Sequence, residues 1–163
     1  GYWLVGSDGG VFSFGDAGFF GSTGGVHLAA PIVGMAASPD GRGYWLVGSD
    51  GGVFSFGDAG FHGTPSRGTL RGAVVGLAAS ADGNGYWVAD TAGDVFALGD
   101  AVSYGSLTGT TLGAPVSALA TSPDGKGYWL VGSDGGVFSF GDAPFAGSAA
   151  GFHPVAPVVA VVR

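Results

Sequence analysis

The seventeen-residue block GYWLVGSDGGVFSFGDA occurs three times without a change, at 1–17, 43–59 and 127–143. A diverged copy, GYWVADTAGDVFALGDA, fills 85–101. The blocks start at Gly1, Gly43, Gly85 and Gly127, so the period is 42 residues with no slippage. A strict period of this size confines a chain to units that each hide an apolar face against the next, as propellers and solenoids do. One domain over 1–163 is therefore expected rather than two.

The rest of the chain agrees with a turn-dense β protein. Its 36 glycines recur at fixed offsets beside Trp, Phe and Val, which is how hairpin-rich sequence reads. All twelve acidic residues are Asp and none is Glu; Asp favours turns and Glu favours helices. A net charge of −7 with five basic residues argues against a nucleic-acid groove or an anionic membrane surface, which need clustered Lys and Arg. Without cysteine there is neither a disulfide framework nor a thiolate metal site. The longest apolar stretch, Val155 to Val162, is interrupted by Pro157 and is far too short to span a membrane as a helix. A start at Gly and the lack of a signal-like segment suggest a mature product or a portion of a longer protein.

One repeat reads as one blade. PIVGMAAS, from Pro31, is a run of small and β-branched residues suited to a crowded strand. Ser38-Pro39-Asp40-Gly41 has the residue order of a type I turn. In GYWLVG, Tyr2 and Leu4 alternate with Trp3 and Val5 across the two faces of a sheet. Ser7-Asp8-Gly9-Gly10 makes a hairpin, Val11–Phe14 a third strand, and Phe19-Phe20-Gly21 a short fourth one. Four antiparallel strands in 42 residues fit a propeller blade.

The two ends match each other. The chain stops with PVVAVVR at 157–163, equivalent to the inner strand PIVGMAA of 31–37, and begins on the second strand of a blade. Pairing these ends predicts an all-β, closed four-bladed β-propeller of four-stranded blades, with the C-terminal inner strand completing the N-terminal blade. Such closure removes exposed edges. An ion or water on the axis is expected as well, since inward-facing carbonyl groups suit a hard cation; no other cofactor is expected.

GYWLVGSDGGVFSFGDA followed by PIVGMAASPDGRGYW resembles repeats in large secreted or surface proteins of actinobacteria. The similarity covers the whole chain. It implies an extracytoplasmic, non-catalytic accessory role within a larger polypeptide, and supplies no catalytic residues. The Gly-His and Trp-Asp pairs of WD40 repeats are lacking.

Trp3, Trp45, Trp87 and Trp129 sit at one offset, so packing between blades explains them better than sugar stacking. The Asp16, Asp58, Asp100 and Asp142 series is explained by turns. The histidines lack a nearby nucleophile, and no metal site is expected. The chain reads as no enzyme.

Blades differ in the crossover loops 18–30, 60–72, 102–114 and 144–156, and strand counting puts these on the face of the Ser-Asp-Gly-Gly hairpins. Candidate ligand-binding residues there are Tyr104, His62, Asp90, Asp94, His27, His153, Arg67 and Arg71. The opposite face should collect seven aspartates, Asp16, Asp40 and their equivalents. The reading that follows is a secreted or cell-surface module binding a glycan or an extracellular protein; the alternative is a structural spacer in a larger protein.

Overall fold

The computed structural model describes residues 1–66 and 68–162. Every repeat block folds as an antiparallel hairpin. In the first repeat β1 (Tyr2–Val5) pairs with β2 (Val11–Phe14). In the next, β3 (Ile32–Ala37), β4 (Gly43–Gly48) and β5 (Val53–Gly57) form a three-stranded sheet with β4 central. The third holds β6 (Val74–Ala79), β7 (Gly85–Asp90) and β8 (Val95–Gly99). The fourth holds β9 (Val116–Thr121), β10 (Gly127–Gly132) and β11 (Val137–Gly141). A 3₁₀ turn, Ala150–Phe152, lies beyond them.

Local chemistry sets these elements. The Gly41 amide donates to the Ser38 carbonyl at 2.9 Å, closing the turn between β3 and β4. In the β4–β5 hairpin the Asp50 carboxylate accepts the Gly52 amide at 3.1 Å, an Asx arrangement that replaces a backbone partner. The first position of the block must be Gly for want of space. A Cβ on Gly43 would stand 2.5 Å from both the Phe56 carbonyl oxygen and the Ala59 nitrogen.

The sheets stack through their aromatic rows. Trp45 and Val47 of one sheet pack with Tyr86 and Val88 of the next, while Tyr44 and Leu46 turn the other way, onto the cluster holding Trp3 and Val5. The ring pairs Trp3–Tyr44, Trp45–Tyr86 and Trp87–Tyr128 lie 5.7, 5.7 and 5.9 Å apart, tilted contacts favoured by the ring quadrupole. Burying each such side chain contributes roughly 1.5–3 kcal/mol. Trp3, Trp45 and Trp87 are thus packing residues. Strands β3, β6 and β9 run side by side, close enough that a Cβ on Gly34 would sit 3.2 Å from the Gly76 Cα. Each of them carries a one-residue bulge at the same offset, at Val33, Val75 and Ser117, which sharpens the local twist.

Two parts of the expected architecture are overturned. The sheets have three strands, and two in the first repeat, rather than four. The return segment Phe19-Phe20-Gly21 runs back along its repeat without joining the ladder. Its backbone groups are taken by side chains: Trp3 Nε1 donates to the Gly18 carbonyl at 2.7 Å, and the Phe20 amide donates to the Tyr44 hydroxyl at 3.2 Å. The glycine that follows has positive φ in every repeat, 133° at Gly21 and 104° at Gly63, which ends extended pairing.

The closed four-bladed propeller is not formed either. Among the described residues no strand pairs with β1 on its free edge, and residues 157–162 belong to no sheet. Matching sequences at the two ends state what could pair. Whether they meet depends on the angle accumulated between stacked sheets, and that stack remains open. The axial ion expected from closure loses its basis with the ring.

Candidate functional site

The hairpins and crossover loops meet most densely at the third repeat. Asp90 ends β7 and is fully buried. One of its oxygens accepts the amides of Ala92 and Asp94, both at 3.0 Å; the other accepts those of Arg71 and Gly72, at 3.0 and 3.2 Å. One carboxylate thus ties the hairpin to the crossover loop before it. Asp94 completes the cluster. The Arg71 Nε forms a close ion pair with it, Arg71 Nη2 donates to its other oxygen at 2.7 Å, and the Thr108 hydroxyl donates to that same oxygen. First the guanidinium, then the Thr108 hydroxyl, hold the Asp94 carboxyl below the usual carboxylate range. Arg71, Asp90 and Asp94 are therefore brought together, as a strut between loops. Their hydrogen-bonding capacity is largely consumed within the fold.

His62 and Tyr104 lie elsewhere. The sequence reading put both on the face of the Ser-Asp-Gly-Gly hairpins; the structure puts them against the turns at the other end. Tyr104 donates its hydroxyl to the Gly125 carbonyl at 3.3 Å, and its ring packs 5.8 Å from Tyr128. His62 sits at the same repeat position, its ring 5.6 Å from Tyr86 and its Nε2 3.2 Å from the Gly83 carbonyl. A carbonyl only accepts, so Nε2 carries the hydrogen. The strand count failed because the return segment starts at that end and these residues come early in it. His27 and His153 are exposed and lie apart from both groups, His153 with φ of 49° after the 3₁₀ turn. Arg67 lies outside the described residues.

The turn end is acidic, as its aspartates imply. Ser38 donates to Asp40 at 2.7 Å and reaches Asp58 at 3.3 Å; Ser122 does the same for Asp124 and Asp142, at 2.8 and 3.3 Å. The Ser80 hydroxyl, then the Asn84 amide groups, lower Asp82 to about 2. Loss of hydration, then the adjacent Asp82, pushes Asp100 up. These carboxylates come in pairs. Among the described residues no group of three or more His, Cys, Asp or Glu could hold a metal ion.

Sequence reasoning missed a third feature. Phe19, Phe61 and Phe145 share one repeat offset and are 61, 62 and 63% exposed. The backbone beneath them is gripped. The residue before each ring gives its carbonyl to a tryptophan, Gly18 to Trp3, Gly60 to Trp45 and Pro144 to Trp129, at 2.7, 2.7 and 2.9 Å. The residue after Phe19 and after Phe61 gives its amide to a tyrosine hydroxyl. In the third repeat this position is Ser103, also exposed. A fold that accepts Ser there does not need the ring. Only that comparison between repeats could have revealed these residues in the sequence.

The fold is that of an all-β repeat protein made of stacked antiparallel sheets. No protein-family model matches the sequence, and a search of curated proteins returns no significant relative. Among the described residues no helix is long and apolar enough to cross a membrane.

Proposed function

We infer that the chain is a non-catalytic binding module of an extracytoplasmic protein, and that its ligand is a neutral surface glycan. One observation carries this reading: Phe19, Phe61 and Phe145 are held out to solvent at one repeat position, on backbone pinned by tryptophan and, beside Phe19 and Phe61, by tyrosine as well. Exposed aromatic rings on a rigid support offer flat apolar area at little ordering cost. Each ring follows an exposed turn carboxylate by three residues, Asp16, Asp58 or Asp142, so sugar hydroxyls would find acceptors close along the chain. The net charge of −7 disfavours anionic polymers. The resemblance to actinobacterial surface-protein repeats agrees with such a setting.

A structural spacer is the second reading. It is favoured by the internal engagement of Arg71, Asp90, Asp94, His62 and Tyr104, which leaves the loops little chemistry to offer.

Screening on a glycan array followed by calorimetry separates the two. The triple variant Phe19→Ser, Phe61→Ser, Phe145→Ser should bind at least about tenfold more weakly, with melting unchanged. Wild-type affinity in that variant, or no neutral glycan bound by the native chain, would leave the spacer.

A further inference from the structure

Phe61 belongs to an interior repeat, with a sheet packed on either side, and is as exposed as Phe19 and Phe145. Exposure is therefore a property of the repeat offset and not of a repeat's place in the chain. Each of these repeats offers one ring, so the rings do not converge on one pocket. Successive sheets make the same contact, Trp45 with Tyr86 and Trp87 with Tyr128, at ring separations of 5.7 and 5.9 Å. Equal contacts carry a given offset forward by one step per repeat. Phe19 and Phe61 thus follow one another along the stack, and Phe145 lies two steps beyond Phe61. Packed sheets are separated by about 10 Å, so neighbouring rings stand further apart than a single sugar ring can bridge.

The missing step is confined to one side chain. In the third repeat Trp87 Nε1 donates to the Val102 carbonyl at 2.8 Å, and the Tyr104 amide donates to the Tyr128 hydroxyl at 3.3 Å. The same two bonds hold the backbone on either side of Phe61, at 2.7 and 3.2 Å. Asp100 stands three residues before Ser103, as Asp58 stands before Phe61. Support and carboxylate are kept at Ser103, and only the ring is absent.

We propose that the ligand is a linear, neutral polysaccharide laid along the stack, with sugar units on Phe19 and Phe61 and, past Ser103, on Phe145. Resting on the reading of a glycan ligand, this narrows the class from sugars to polymers of repeating units. A single exposed ring offers one apolar face to the C–H face of a pyranose and holds it weakly. A polymer meets the second and third rings at an effective concentration set by its own backbone, so affinity rises with chain length without any new kind of contact. A ligand of equal units suits a surface of equal steps.

Calorimetry with neutral saccharides of glucose, mannose and xylose, each as a trimer and as a long soluble polymer, tests this. For a sugar that binds, the polymer should bind at least about tenfold more tightly per sugar unit than the trimer. Phe61→Ser should remove most of that difference, since it leaves no two rings on adjacent repeats. Ser103→Phe should fill the gap. Polymer affinity should then rise about threefold or more, whereas the trimer should gain one further site per protein at unchanged affinity. Both variants should melt as the native chain does; were Ser103→Phe to fail to fold, Phe61→Ser decides alone. A trimer bound as tightly as the polymer, or a polymer affinity untouched by the variants, would overturn the row of rings while leaving the glycan reading in place. Silence with every probe would instead remove the glycan reading, and the row with it.

Discussion

The carboxylate of Asp90 takes the place that the carboxylate of Asp50 fills in the preceding repeat, although the two residues differ by two positions in the hairpin. Asp50 accepts the amide of Gly52, and Asp90 accepts that of Asp94, the equivalent of Gly52, at 3.1 and 3.0 Å. Gly48 stands where Asp90 does, and a Cβ on it would lie 2.8 Å from the Asp50 Oδ1. The diverged hairpin has therefore exchanged Gly and Asp for Asp and Ala while keeping a carboxylate in one spot.

The exchange predicts a partial rescue. Asp90→Ala strips acceptors from four amides and should cost about 2–4 kcal/mol. Adding Ala92→Asp to Asp90→Gly restores the regular hairpin but not the link to Arg71 and Gly72, so it should recover part of the loss. Denaturant melts of the three chains decide it; additive losses would mean that the carboxylates do not replace one another.

Tyr86 grips the return segment, donating to the Gly63 carbonyl at 2.6 Å and accepting the His62 amide at 3.2 Å. Tyr86→Phe should cost about 1–2 kcal/mol. Among the described residues the Tyr2 hydroxyl has no hydrogen-bond partner and the side chain is 59% exposed, so in the 163-residue chain Tyr2→Phe should leave the melting point unchanged. Equal effects at the two positions would refute the clamp.

Gly85 and Gly76 offer a steric contrast within one sheet. A Cβ on Gly85 would lie 2.5 Å from the Leu98 carbonyl and the Ala101 nitrogen, whereas one on Gly76 would meet nothing within 4 Å. Gly85→Ala should cost about 2–3 kcal/mol by overpacking against backbone, and Gly76→Ala should change stability little. Thermal unfolding of both variants measures the difference.

Acid titration should separate Asp82 from Asp100. The folded value of Asp82, about 2, lies below the ordinary 3.8, so its contribution to stability is complete above pH 3.8 and lost as pH falls toward 2. Asp100 is raised; folding therefore favours its protonated form, and that contribution is lost as pH rises through its folded value. Ser80 is the largest cause of the Asp82 shift. The stability gap between the native chain and Ser80→Ala should therefore be widest at neutral pH and narrow by pH 2. A gap independent of pH would remove Ser80 from that role.

The hairpins, the turns and the alternation of Trp and Tyr rows were legible in the sequence because their causes are local. Asp50 bonds an amide two residues away, Gly43 avoids a fixed backbone, and strand alternation decides which ring faces which neighbour. The acidic end followed from the same turns. Tertiary structure alone decided three other matters. The return segment left the ladder because Trp and Tyr side chains from its own and the next repeat claimed its backbone groups, a competition that β-propensity at Phe19 and Phe20 does not register. His62 and Tyr104 went to the turn end for the same reason, and Phe19 and Phe61 were turned outward beside them. The ring stayed open because identical blocks specify the contact between neighbouring sheets, while closure depends on the angle summed over all of them. That angle is spread across many tilted ring pairs and bulges, and no single residue encodes it.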